Sequence, residues 1–296
     1  MSEPTRRDFL THSAAAVGVL AAGSNIWGVA DQPRKLTSGA DRVPLGKTGI
    51  ITSLLGMGTG STGVRHSSNQ VKLGEVKFKK LVRYAFDQGI TYFDTADQYG
   101  SNLYLRQALR GLPREKLFIQ TKTHATTPEM ARADIERFRE ELGVDYLDTL
   151  LMHCMMKGSW PTDRRPVMDT LAEAKAKGLI RAVGVSCHGM APLKAAVNCD
   201  WIDVDLARIN PVGGNAGRMD GTPDEVAACL KAMHAKGKGI IGMKILAEGT
   251  LKTPEKQIES LRYVLGLGCL SCFVIGFESE QQIDQIMDRM AIALKG

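Results

Sequence analysis

The chain has 296 residues, 44% of them hydrophobic and 24% charged, with 38 Lys and Arg against 32 Asp and Glu for a formal net charge of +6. Such a composition supports a folded chain with an ample core and excludes a disordered or fibrous one. The basic excess is mild and scattered through amphipathic segments without a basic block, which argues against nucleic acid as a partner.

The N-terminus reads as an address. Thr5-Arg6-Arg7-Asp8-Phe9-Leu10 resembles the twin-arginine export signal, and is followed by the apolar stretch Ala14 to Gly23 and by the small residues Gly28-Val29-Ala30. Charge, apolar run and small residues stand in the order an export signal requires. The apolar run is too short to span a bilayer comfortably. Residues 1–30 are expected to be a signal peptide and 31–41 a linker, with residues 42–296 forming the folded domain. The mature chain is expected in the periplasm, carried there by the twin-arginine export machinery, with no stable membrane insertion. The competing reading is an N-terminal helix with a chance Arg-Arg pair.

Pro44 to Ile50 then reads as a hairpin, with Gly46-Lys47-Thr48-Gly49 making the turn. Eight apolar runs follow: Ser53–Gly56, Tyr92–Asp94, Leu117–Lys122, Thr149–His153, Ala182–Ser186, Val204–Asn210, Gly239–Lys244 and Cys272–Gly276. Between and after them, residues 76–88, 103–112, 128–142, 166–177, 223–236, 254–265 and 280–294 place apolar residues at helical spacing. Pro128, Pro166, Pro223 and Pro254 stand where a first helical turn tolerates proline, three of them directly after a Thr. Short apolar strands alternating with helices predict a parallel sheet buried on both faces. Eight of them predict a (β/α)8 TIM barrel, which commonly needs about 250 residues. An open dinucleotide-binding sheet would show Gly-x-Gly-x-x-Gly after its first strand, and Gly56-Met57-Gly58-Thr59-Gly60 lacks that spacing.

Cys154, Cys187, Cys199, Cys229, Cys269 and Cys272 include one C-x-x-C, with no second ligand pair to complete a zinc or iron–sulfur site. They read best as small buried hydrophobes, with a disulfide open to an exported protein.

Four titratable residues carry the chemistry. Asp94, Lys122 and His153 end the second, third and fourth barrel strands, and Tyr99 lies one short loop beyond Asp94. Strand ends of such a barrel converge on one mouth, so sequence neighbours become spatial neighbours. At these residues the chain resembles the aldo-keto reductase family, from about Arg42 onward. The resemblance implies that Tyr99 protonates a carbonyl oxygen as hydride arrives. It also implies that Lys122, paired with Asp94, draws the tyrosine pKa down from about 10, and that His153 orients the substrate. It implies a nicotinamide cofactor, NADP or NAD, and a small-molecule carbonyl substrate.

The resemblance extends to the cofactor. Gly58 and Thr59 after the first barrel strand, and Gly276 after the last, are placed on it. Ser186 matches a residue that reads the nicotinamide amide, while Cys187 stands where the family has Asn. Arg208 replaces a Gln, and Pro211 stands where a stacking Tyr is expected. Arg208 is chemically able to donate to the amide oxygen or to hold a substrate carboxylate bidentately. Lys244 is the candidate for the pyrophosphate charge, its alternative being an ion pair with Glu248. Ser279 and Gln282 match the adenosine end. Glu278 in that loop would repel a 2′-phosphate and accept ribose hydroxyls, as acids do in NAD sites. With short loops around it, the mouth is expected to be open. The leading expectation is a nicotinamide-dependent oxidoreductase acting on an aldehyde, ketone or sugar. The alternatives are a binding or sensing protein of the same fold, or a lyase or isomerase using Lys122 as a Schiff base.

Overall fold

The computed structural model describes residues 35–295; the expected signal peptide and the first part of the linker lie outside the described residues. Strands β1 (Arg42–Pro44) and β2 (Ile51–Ser53) pair antiparallel. Eight further strands close a parallel barrel: β3 (Leu55–Gly58), β4 (Tyr92–Asp94), β5 (Phe118–Thr123), β6 (Leu147–Met155), β7 (Ile180–Cys187), β8 (Val204–Arg208), β9 (Gly239–Met243) and β10 (Cys272–Gly276). Each strand pairs with its neighbours in chain order, and β10 closes on β3 with Phe273 opposite Leu55 and Gly276 opposite Gly58.

Burial explains why the strands read as continuous apolar runs. Every residue of β3, β4 and β5 is buried, because side chains alternate between the barrel interior and the layer under the helices. The helices begin where their caps predict. Thr127, Thr222 and Thr253 each accept a backbone N–H three residues on, and a proline follows each in the first turn. Thr222 and Glu225 complete a reciprocal capping box.

The hairpin turn meets the N-terminal ends of the strands. Lys47 N–H donates to Gly237 O at 2.9 Å, and a Cβ on Gly46 (φ +53°) would lie 2.4 Å from Gly239 N. Glycine is required at Gly46 for both reasons. Helix Met190–Val197, after β7, falls outside the predicted segments. The six cysteines are free thiols, four of them buried. Among the described residues no helix is long and apolar enough to cross a membrane, and no cluster of His, Cys, Asp or Glu has metal-binding geometry.

Candidate active site

The C-terminal ends of β4, β5 and β6 bring Asp94, Lys122 and His153 to one mouth, with Tyr99 in the 3-10 turn Asp97–Tyr99 after β4. Lys122 is 1% exposed and uses all three of its ammonium donors. It donates to Asp94 Oδ1 at 2.6 Å, to Thr95 O at 2.8 Å, and towards Tyr99 OH at 3.5 Å, the outer limit of a hydrogen bond. Asp94 Oδ1 also accepts from Gln120 Nε2 at 2.8 Å, and Gln120 is fixed in turn by Tyr92 OH and Thr149 Oγ1. Such a fully bonded buried network holds the lysine in one place.

Burial alone would lower the Lys122 pKa, but Asp94 and Tyr99 outweigh it and the ammonium is held above its ordinary value. For Tyr99, burial pushes the phenol up and Lys122 pulls it down; burial wins, so the net shift is upward. This differs from the expected depression. Taking a phenol out of water disfavours the phenolate more than one lysine at this distance favours it. His153 is held far below the usual imidazole range by burial, then by Lys122, His124 and His188, and is neutral at physiological pH.

Sequence reasoning missed several neighbours of these four. Cβ atoms on Gly60 and Gly63 would lie 2.2 and 2.4 Å from ring atoms of Tyr99, so the loop after β3 passes directly against that ring. His124 stacks on His153 with ring centroids 4.6 Å apart, and His188 meets it edge-on at 6.4 Å. Both histidines follow directly on barrel strands, a position that identifies mouth residues and was available in the sequence.

From Asp94 and Tyr99 a cleft of about 420 Å³ runs over the ends of β9, β10 and β3, within the usual range of ligand sites. Gly58, Lys244, Gly276, Glu278 and Gln282 line it. Thr59, Ser186, Cys187, Arg208, Pro211 and Ser279 do not. Thr59 is buried and bonds to Asp94 O and Ser101 Oγ. Ser279 caps helix Glu280–Ala293 through Gln282 N–H. Cys187 is wholly buried in the core, and as the next residue after Ser186 on β7 it points to the opposite face. Met243, at the end of β9, lines the cleft where Pro211 does not. Lys244 pairs with Glu248, which also meets Arg218 at 3.1 Å. Burial, then Arg208 and Arg218, draw the Lys244 pKa down to about 8. A larger cavity of about 580 Å³, lined by residues such as Leu103, Arg110, Leu117 and Leu142, contains none of the four mouth residues.

Residues 54–291 match the Aldo/keto reductase family. The chain belongs to the aldo-keto reductase family. Aldo-keto reductases are NAD(P)-dependent oxidoreductases. Residues 1–33 match a second family, the Ubiquitinol-cytochrome C reductase Fe-S subunit TAT signal. Over 186 residues the chain is 32% identical to "Probable aldo-keto reductase 1" of Glycine max, covering 54% of this chain and 51% of that protein. It is 29% identical over 171 residues to the NADH-specific methylglyoxal reductase of Escherichia coli, covering 49% and 51% respectively. The chain thus spans about half the length of the curated relatives it matches. An aldo-keto reductase from Bacillus halodurans in its holo form superposes with a TM-score of 0.69 at 17% identity, covering 86% of this chain and 95% of that one. At that identity the likeness shows the fold alone.

Proposed function

We propose that this aldo-keto reductase is an exported, NAD(P)-dependent reductase of a small carbonyl compound, with Tyr99 as its general acid. The observation that carries the reading is the buried Lys122 ammonium, fixed by Asp94 and directed at Tyr99 OH. A donor on the phenol oxygen makes the phenol proton the one that leaves. The raised Tyr99 pKa keeps that proton in place at neutral pH, which suits reduction, where an acid must give it up. Neutral His153 keeps one ring N–H, a second group to hold the carbonyl oxygen. Lys122 is committed to three acceptors as an ammonium, so it has no lone pair for Schiff-base chemistry.

Two observations, one at the end of β7 beside the cleft and one in the cleft wall, support a nicotinamide dinucleotide here. The Ser186 hydroxyl is buried without a partner among the described residues, a state that calls for a ligand or water. Gly58 and Gly276 keep the cleft wall free of side chains, and a Cβ on Gly276 would lie 2.1 Å from Ser61 Oγ. When bound, the dinucleotide supplies hydride to the carbonyl carbon. Ser186 would meet the amide, Lys244 the pyrophosphate, and Gln282 and Glu278 the adenosine end. Glu278, held by Asn69 Nδ2 at 2.8 Å, favours free ribose hydroxyls over a 2′-phosphate, so we assign a preference for NAD(H).

The domain boundaries follow the same reading: a twin-arginine signal over residues 1–30, a linker to residue 41, then the barrel. The deciding test is carbonyl reduction by Tyr99→Phe, which is expected to fall by about 10²–10⁴ in kcat with the fold intact. Parental turnover in that variant refutes the assignment of the acid.

A further inference from the structure

Beside the cleft, where β8 pairs with β9 and Arg208 stands opposite Met243, is a second polar group that the reduction machinery does not use. His188 follows β7 and Arg208 ends β8. Asp220 lies in the segment between β8 and helix Pro223–Ala235. None of the three lines the cleft. Arg208 Nη1 donates to Asp220 Oδ1 at 3.3 Å, and Nη2 donates to His188 Nδ1. A guanidinium is always protonated, so His188 Nδ1 must be the acceptor, and its remaining hydrogen sits on Nε2. Nε2–H faces Cys154 Sγ at 3.5 Å. Burial first, then Arg208 and Lys244, hold His188 near pKa 3, so the imidazole stays neutral and adds no charge of its own.

The guanidinium is therefore under-used. Of its five N–H donors, the two bonds above occupy one each, and Nε is buried with no partner among the described residues. Its side chain is only 21% exposed. An unpaired buried donor is unfavourable until an acceptor arrives, and a charged planar donor is best matched by a planar anion. The single carboxylate against it, Asp220, makes one long contact. The other cations of the mouth, Lys122 and Lys244, are each committed to an acid. Arg208 combines a charge with a planar fork of idle donors and a buried Nε–H without a partner among the described residues, one imidazole away from His153.

We infer that Arg208 and His188 form a carboxylate seat, and that the carbonyl compound reduced here carries its anion next to the reacting carbon, as a 2-oxo acid does. The carbonyl then lies against Tyr99 and His153 while the carboxylate reaches across the His188 ring to the guanidinium. The inference rests on the reductase reading for the carbonyl, but the seat itself is testable without turnover.

The probe is oxamate, an unreactive planar mimic of a short 2-oxo acid, titrated calorimetrically into the purified full chain at low and high salt. Arg208-dependent binding is expected, weaker at high salt because the attraction is ionic. Arg208→Gln is expected to weaken it about 10- to 100-fold, with Arg208→Lys in between. Asp220→Asn, which leaves the guanidinium in place and removes its competing acid, is expected to tighten it. Thermal midpoints of the three variants separate loss of the seat from loss of the fold. Oxamate binding unaffected by Arg208→Gln, or absent in the wild type, overturns the inference. So does an Arg208→Gln loss that falls on dinucleotide affinity instead, since it assigns Arg208 to the nicotinamide. Oxamate bound through Arg208 in a protein that reduces no carbonyl would keep the seat and refute the reductase reading alone.

Discussion

A Cβ on Gly60 would stand 2.2 Å from Cε2 of Tyr99, closer than any real side-chain carbon approaches a ring. The glycine after β3 thus sets how far the tyrosine ring can lie over the mouth. Gly60→Ala is expected to push the phenol off Lys122 while leaving the barrel core untouched. A misplacement of about 1 Å at a reacting group can cost on the order of 100-fold in rate. The expected result is a kcat reduced at least tenfold with a thermal midpoint little changed, measured against Tyr99→Phe as the limit. A Gly60→Ala enzyme with full kcat would show that the tyrosine does not depend on this contact.

Lys122 and Asp94 form a buried pair at 2.6 Å. Removing one partner leaves an uncompensated charge, which typically costs about 3–5 kcal/mol. Lys122→Met alone should therefore be strongly destabilising in urea melts. The double variant Lys122→Met with Asp94→Asn should cost clearly less than the sum of the single changes. Additive losses would mean that the two side chains do not share one interaction.

Asp205 on β8 is fully buried, with both carboxylate oxygens unpartnered among the described residues. Burial pushes its pKa up to about 7, from 3.8. The sign follows from proton counting. Between about pH 4 and 7 the folded state holds a proton that the unfolded state has lost, so stability falls as pH rises through this window. Asp205→Asn should remove that slope and be more stable than the parent above pH 7, by on the order of 1–4 kcal/mol. Chemical melts at pH 5 and pH 8 check it; an equal effect at both pH values would count against a titrating Asp205.

Glu278 lines the cleft, with Asn69 holding its carboxylate, and is proposed to meet the adenosine end of the dinucleotide. Glu278→Arg should reverse the expected preference, raising NADPH affinity at least tenfold while weakening NADH. Fluorescence titration of parent and variant with both dinucleotides is the measurement. A parent that already binds NADPH more tightly than NADH would refute the proposed preference for NAD(H).

Export is tested through Arg6 and Arg7. Replacing both with Lys should leave the precursor in the cytoplasm, read by cell fractionation. Wild type confined to the cytoplasm would end the export proposal. Exported protein should retain the dinucleotide it folded around, with a melting temperature raised by that bound ligand.

The eight barrel strands were legible because both faces of a parallel barrel are buried, and β4 and β10 stand at the predicted residues. The helices that begin with Thr-Pro were legible from their caps. Helix Met190–Val197 was not. It has eight residues, follows Gly189 with no side-chain cap, and carries Pro192 in its first turn. Asp94, Lys122 and His153 could be found because strand-end position is a property of sequence. The Gly60 and Gly63 contacts with Tyr99 are set by two loops meeting in space, which no periodicity encodes. The choice between Ser186 and Cys187 was legible in principle, since neighbours on a strand face opposite ways. The upward shift of Tyr99 was not, because the depth of burial belongs to the folded chain.

The cleft straddles the seam where β10 closes on β3. One wall comes from residues 58–69 with Asp94 and Tyr99, the other from Leu206 and residues 243–289. Nearly the whole barrel must be synthesised and folded before the two walls meet. Occupancy of the cleft therefore reports completion: a nascent chain that ends before β9 lacks all but Leu206 of the second wall and has nothing to close the first. For a protein bound for a translocase that accepts folded cargo, a ligand gripped across the last seam to form would act as a fastener, holding the barrel shut through transit.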